Sequence, residues 1–120
     1  MPNVLGSTGS FMDIADLFRE LLATYRKHGW ELRRALLQRK TLSELHDEEG
    51  LGNVPVKEAP FDGLWFSRPS HNRREAWELR FLAQTPYALF ETFEADETEE
   101  EREDVKLEME ARLRDYVLGN

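Results

Sequence analysis

An arginine-rich segment has the residue types and spacing that could bind an anion. Residues 67–74 read SRPSHNRR and lie between two predicted strands. Their cationic side chains are Arg68, His71, Arg73 and Arg74. If these gather at a hairpin tip, their guanidinium groups offer a phosphate or carboxylate paired N–H donors. The alternative is a solvated loop, shaped by its proline and asparagine, whose arginines point into water.

Two tryptophans flank this segment and could add a stacking surface for a ligand. Trp65 precedes the loop and Trp77 follows it, each within a predicted strand. Tryptophans at strand spacing are more often part of a core, so this reading stays open. The ligand site predicted from the sequence therefore consists of Trp65, Arg68, His71, Arg73, Arg74 and Trp77.

Other chemistries find little support in the sequence. The GSTGS run at residues 6–10 precedes a helix, but no lysine follows at phosphate-loop spacing. The histidines, His28, His46 and His71, are too scattered to predict a metal site, and the chain has 0 cysteines. No spacing suggests a nucleophile–base pair. We therefore predict no catalytic residue, metal or cofactor, and a non-enzymatic protein. The alternative is a hydrolase or isomerase with an unrecognised cleft.

The charge distribution argues against nucleic acid as a partner. The net charge is −8, and residues 91–120 hold 12 acidic and 4 basic side chains, so the imbalance falls in this last quarter. Phosphate affinity comes from Lys and Arg releasing counterions. Neither a signal peptide nor a membrane-length apolar run is visible, so we expect a cytoplasmic protein.

The elements that must position these residues follow from periodicity. Apolar residues spaced three and four apart predict a helix over 12–28, ended by Gly29. Residues 30–38 favour a strand, with a helix as the alternative. A long loop is predicted over 39–62, in which the capping-box spacing of Thr41 and Glu44 could open one helical turn and glycines and prolines are frequent over 50–63. The acidic segment 94–120 predicts a final helix, with Thr98 and Glu101 at capping-box spacing.

The clearest sheet signal lies between residues 64 and 93. Trp77, Leu79 and Phe81 alternate with polar residues, as in a half-buried strand. A tight reversal between Thr85 and Pro86, through a four-residue loop or a cis peptide bond, would place Phe81 opposite Phe90. The same register sets Leu82 opposite Leu89 and Arg80 opposite Glu91, which are favourable cross-strand pairs.

That register predicts an apolar surface on the side of the hairpin facing away from the helices. Large apolar groups on the outer face of a sheet are typical of a contact site. The alternative is that the long loop covers them. The predicted interface consists of Arg80, Leu82, Leu89, Glu91 and Phe93.

The sequence thus predicts one α+β domain over 1–120, with a flexible arm at 1–10. Its element order is α-β-loop-β-β-β-α, with two long helices packed on one face of an antiparallel sheet of three to four strands. We expect a protein-interaction or adaptor domain that self-associates, as a homodimer, through the outer sheet face. The alternative is a domain that binds a small molecule or anion at residues 67–74.

Overall fold

The computed structural model describes residues 12–119. Within this range the chain forms three α-helices, five strands and two short 3-10 turns. The helices are α1 (Ile14–Lys27), α2 (Arg39–Leu45) and α3 (Glu99–Leu118), and the strands are β1 (Glu31–Leu37), β2 (Val56–Glu58), β3 (Gly63–Pro69), β4 (Glu75–Phe81) and β5 (Ala88–Phe93). The predicted flexible arm and the GSTGS segment lie outside the described residues.

Helix α1 begins and ends through local contacts. The Asp13 carboxylate accepts the Asp16 N–H at 2.9 Å and caps the first turn. Gly29 has φ +87°, a left-handed conformation that glycine adopts without steric cost, and the chain leaves the helix there. One face of the helix is buried, through Leu17, Phe18, Leu21 and Leu22.

Helix α3 starts with the predicted capping box. The Thr98 hydroxyl accepts the Glu101 N–H at 3.1 Å, and the Glu101 carboxylate accepts the Thr98 N–H at 2.8 Å. Three glutamates in the first turn suit the positive end of the helix dipole. The helix is therefore confirmed, within narrower bounds than 94–120.

The strands form one open sheet in the order β2-β1-β3-β4-β5. β1 pairs with β2 in parallel, whereas the other neighbours are antiparallel. Residues 31–37 are thus a strand rather than a continued helix. β3 lies at the centre, and five consecutive residues of it, 63–67, are buried.

Residues 39–62 contain more structure than the predicted long loop. They include α2, a 3-10 turn and β2. Asp62 anchors the start of this segment, because its carboxylate accepts the Gln38 N–H at 2.8 Å and the Thr41 hydroxyl at 2.8 Å. The prediction missed this anchor, which joins positions more than 20 residues apart.

The long helices lie on opposite faces of the sheet. Leu64 and Phe66 of β3 join the apolar cluster beneath α1, whereas Trp65 between them joins the cluster beneath α3. We call these the α1 face and the α3 face. The α+β fold class is confirmed. The predicted packing of both helices on one face is wrong, because alternate side chains of β3 lie beneath α1 and beneath α3. The sheet also has five strands rather than three to four.

The β4–β5 hairpin is confirmed, but its predicted register is wrong. Glu78, not Phe81, lies opposite Phe90, which is a shift of three residues. The connection spans residues 82–87, longer than the expected four-residue loop, and no peptide bond in the described chain is cis. Because side chains alternate between faces, an odd shift moves every β5 side chain to the opposite face relative to β4.

Candidate functional site

The free edge of the sheet at β5 has unpaired backbone groups. The Phe81 N–H donates to the Tyr87 carbonyl at 2.9 Å, which fixes the hydrogen-bonded pairs of the hairpin. Alternation along an antiparallel ladder then directs the N–H and C=O groups of Ala88, Phe90 and Thr92 away from β4. No strand in residues 12–119 pairs with this side of β5.

The two faces of β5 differ in burial. Leu89 and Phe93 lie on the α3 face and are only 9% and 0% exposed. On the α1 face, Ala88 is exposed and Phe90 is 58% exposed. Helix α1 does not cover this end of the sheet, so β5 presents an open apolar face beside a free edge.

An aromatic group supports Phe90 from within the chain. The Phe90 ring meets the Trp30 ring edge to face, with centroids 6.3 Å apart. Trp30 in turn contacts Tyr25, which stacks on Phe66 at 4.0 Å. Since this group is packed, Phe90 projects from a fixed base rather than from a loop.

A partly buried hydrogen bond joins this aromatic group to β4. The Tyr25 hydroxyl donates to the Glu78 carboxylate, joining α1 to β4. Burial of the phenol, and then this hydrogen bond, raises the pKa of Tyr25 above its usual range. The tyrosine is therefore neutral at physiological pH and remains a donor to Glu78.

The other edge strand, β2, is protected. It has only three residues, Val56–Glu58, and all three are exposed. Lys57 lies at its centre, and Pro55 and Pro60 flank it. Short length, lysine and proline are devices that prevent an edge from pairing with another chain. β5 has six residues without lysine or proline.

The predicted interface residues do not form one surface. Leu82, Leu89 and Phe93 are buried, so an exposed outer face built from them is wrong. Arg80 lies opposite Ala88 and donates to the carbonyls of Phe81 and Ala83 instead of pairing with Glu91. Glu91 is exposed and lies opposite Trp77. The odd register shift moves Leu89 and Phe93 to the α3 face, whereas Leu82 is buried because it joins the cluster beneath α1.

The predicted ligand residues are divided between the two faces. The Arg68 guanidinium lies 4.8 Å from the Trp30 ring centroid and donates to the His28 carbonyl at 2.7 Å. Trp65 is fully buried on the α3 face, where its ring meets that of Trp77 edge to face at 5.9 Å. The two tryptophans therefore cannot form an open stacking surface with Arg68.

The tip of the hairpin nevertheless brings arginines together. A depression of about 240 Å³ is lined by Arg33, Ser67, Arg68, Pro69, Ser70, Arg73, Arg74 and Glu75. Arg74 pairs with Glu94 at 3.0 Å, and His71 is exposed outside this lining. Arg73 has φ +60°, which is unfavourable for a side chain of this size. The sequence predicted the arginines here except Arg33, which the fold brings in from β1.

Helix α3 packs on the sheet partly through charged groups that sequence reasoning missed. Arg34 of β1 donates to both oxygens of Glu103, at 3.1 and 3.2 Å. The side-chain hydrogen bond from Arg34 lowers the pKa of Glu103 despite partial burial. Glu110 accepts the indole N–H of Trp65 at 2.8 Å and an N–H of Arg34 at 3.4 Å. Glu103 and Glu110 are seven residues apart, which places them on one helix face.

Lys106 is buried between aromatic rings on the α3 face. Its ammonium lies 3.5 Å from the Trp77 ring centroid and 5.8 Å from that of Phe93. Burial lowers the pKa of Lys106, although the carboxylates of Glu103 and other acids oppose that change.

Two kinds of site were not found in the part of the chain that the structure describes. No group of three or more His, Asp or Glu side chains is arranged to hold a metal ion among residues 12–119. No helix in the same range has the length and apolar character needed to cross a membrane.

Comparisons with protein-family models, with curated protein sequences and with solved structures found no match to this chain. Its function must therefore be inferred from its own geometry.

Proposed function

We propose that this chain is a protein-interaction domain that self-associates, with two copies joined by antiparallel pairing of their β5 strands. The observation that carries the proposal is Phe90, which is 58% exposed at the middle of a strand edge with no partner among the described residues. Exposed edges with apolar side chains are templates for pairing with another chain. The proposal requires no catalytic residue.

A two-fold axis at Phe90 gives a favourable set of neighbours. The backbone groups of Ala88, Phe90 and Thr92 meet their counterparts in the second copy, with Phe90 opposite Phe90 and Ala88 opposite Thr92. Glu91 then faces Leu89 of the second copy instead of another Glu91, so no like charges face each other across the new pair. A register centred on Glu91 would bring the two carboxylates together.

The expected dimer is weak. One strand pair with one aromatic contact buries less surface than the roughly 800 Å² per partner of a standard interface. We therefore expect a dissociation constant in the range of about 1 to 100 µM. Pairing also has a small free-energy cost at Thr92. Its N–H contacts the Glu91 carboxylate at 3.3 Å and must give up that contact to donate to the second copy.

Charge variants at the axis provide a direct test. Phe90→Glu and Phe90→Arg should each prevent pairing, because like charges would face each other at the axis. An equal mixture of the two should form a heterodimer through the opposite charges. Sedimentation equilibrium over about 1 to 500 µM measures all three samples against the wild type.

The matched control is Val56→Glu, which places the same charge on the exposed edge strand β2. Val56 is 38% exposed, so the substitution is tolerated structurally. It should leave self-association unchanged. A wild type that stays monomeric over the whole range contradicts the proposal, and a mixture that stays monomeric contradicts pairing at Phe90.

A second candidate function is anion binding at the hairpin tip. Arg73 favours it, because a non-glycine residue held at φ +60° is a form of backbone strain that clusters at ligand sites. Inorganic phosphate should then raise the unfolding temperature. Arg73→Ala with Arg74→Ala should abolish that rise. An unchanged rise in the double variant would exclude this site.

A further inference from the structure

A groove between the β2–β3 connection and α3 has an apolar floor. It measures about 240 Å³ and lies on the α3 face, far from the free edge of β5 in strand order. Leu36 and Phe61 form the floor and are 1% and 4% exposed, while Leu107 stands at the wall and is 48% exposed. An enclosed cavity of about 150 Å³ holds benzene, so this groove has room for one ring with a short chain.

Glu110 supplies a carboxylate to this groove. Its side chain is only 9% exposed, and both of its hydrogen-bond donors, Trp65 and Arg34, meet the same oxygen, Oε2. Among residues 12–119, the other oxygen, Oε1, meets only the Lys57 ammonium, at 3.7 Å. That distance exceeds a hydrogen bond, so Oε1 retains capacity to accept one.

The ammonium group of Lys57 is held only weakly beside Glu110. It lies on the exposed edge strand β2, and its side chain is 59% exposed. Breaking the contact between Lys57 and Glu110 costs little free energy, because the exposed ammonium group would be solvated by water. The remaining charged groups of the groove have other partners, since Glu58 pairs with Arg39 at 3.3 Å and Arg114 with Asp115 at 3.1 Å.

The groove is lined by two acidic side chains, Glu58 and Glu110, and two basic ones, Lys57 and Arg114. Of these four, the one that is buried is the Glu110 carboxylate. A carboxylate at the inner end of an apolar groove selects a ligand that carries a positive N–H donor and an apolar body.

We propose that this groove binds a small organic cation, a primary ammonium attached to an apolar group. The ammonium donates to Glu110 Oε1 and displaces Lys57, and the apolar group lies on Leu36, Phe61 and Leu107. This site is independent of self-association through β5, because it shares no residue with that edge.

Calorimetric titration with 2-phenylethylammonium tests the inference, with 3-phenylpropionate as the matched anion. The cation should bind the wild type saturably and the anion should not. Lys57→Gln should strengthen cation binding about threefold or more, because it removes the competing ammonium group. Glu110→Gln should weaken it at least about tenfold, because an amide lacks the charge. Ala111→Leu should weaken binding by filling the groove without changing any charge.

The Lys57→Gln variant distinguishes a cationic ligand from an anionic one, because it should strengthen binding of a cation and weaken binding of an anion. Preferential binding of the anion, lost in Lys57→Gln, would overturn the proposal and assign the groove to carboxylates. No saturable binding of the cation by folded wild type at millimolar concentration would overturn it as well. Circular dichroism spectra that match the wild type establish that each variant is folded.

Discussion

The indole N–H of Trp65 donates a hydrogen bond of 2.8 Å to the Glu110 carboxylate, 45 residues further along the chain. Trp65 is fully buried at the centre of the sheet, and Glu110 is buried on α3. The contact therefore joins the sheet to the C-terminal helix through two polar groups removed from water. A buried indole donor needs such a partner, because an unpaired one carries its full desolvation cost.

Removal of the Glu110 acceptor should destabilise the protein. We expect Glu110→Ala to lower the free energy of unfolding by about 2 to 3 kcal/mol, because it leaves the Trp65 N–H and an N–H of Arg34 without their partner. Urea denaturation followed by tryptophan fluorescence measures the change. Glu108→Ala, an exposed glutamate on the same helix, is the control and should change it by less than about 0.5 kcal/mol. Equal values for the two variants would contradict this role.

The Arg34–Glu103 pair should make stability depend on pH in the acid range. The pKa of Glu103 is lower in the folded protein than in the unfolded chain, so its contribution is present above the unfolded pKa of about 4.3. It is lost as the pH falls through the folded pKa. Over a third of the side chain is exposed, so we expect Glu103→Gln to cost only about 0.5 to 1 kcal/mol at pH 7.

Denaturation of the wild type and Glu103→Gln at several pH values measures this dependence. The difference between them should shrink as the pH falls below the unfolded pKa and vanish below the folded pKa, because Glu103 is then protonated in both states. Glu100→Gln, at an exposed position of the same helix, should show no such trend. A difference that is constant with pH would indicate that Glu103 acts through packing instead of charge.

Lys106→Met should stabilise the protein. Lys106 is 3% exposed, and burial lowers its pKa, so the folded state disfavours the ammonium relative to water. Methionine keeps the apolar stem between Trp77 and Phe93 and removes that cost. We expect a gain of about 1 kcal/mol in the free energy of unfolding at pH 7.

The gain from Lys106→Met should disappear in alkali. The cost of the charge is full below the folded pKa and absent above the unfolded pKa of about 10.4, so the two proteins should converge as the pH rises. Lys40→Met, at an exposed position of α2, is the control and should show no gain. Destabilisation by Lys106→Met would show that contact with the rings outweighs desolvation.

Arg73→Gly should raise stability by about 1 kcal/mol. Arg73 has φ +60°, in the left-handed region where a Cβ atom is crowded and glycine is not. Asn72 has φ +58°, but asparagine tolerates that conformation better, so Asn72→Gly should gain less. Thermal unfolding of both variants measures the difference. An equal gain would indicate that side-chain type does not control strain in this turn.

Local signals predicted the helices, whereas distant contacts decided the faces of the sheet. The caps at Asp13 and Thr98 depend on neighbouring residues, so periodicity and capping rules located α1 and α3. The β4–β5 register depended on where the chain reverses, and a six-residue connection replaced the expected tight one. Because of that error, Leu89 and Phe93 were predicted to lie on an exposed interface but are buried.

The sequence WELR occurs twice, at residues 30–33 and 77–80, and shows again that local sequence does not determine on which face of the sheet a side chain lies. Trp30 packs in the cluster on the α1 face, whereas Trp77 packs on the α3 face. The register of β1 shifts between Leu32 and Arg34, and each strand takes its orientation from different neighbours. Identical letters therefore do not specify the face. The pairs that Arg34 and Trp65 make with α3 were equally invisible, because nothing in the sequence links them.

The central sheet separates two small apolar clusters, one beneath each long helix. Because β1, β3 and β4 each contribute side chains to both clusters, the backbone of the sheet lies between them. Substitutions on opposite sides should then have additive effects on stability, as expected for sites without shared partners. One side can thus accumulate changes, by evolution or by engineering, while the other keeps its packing.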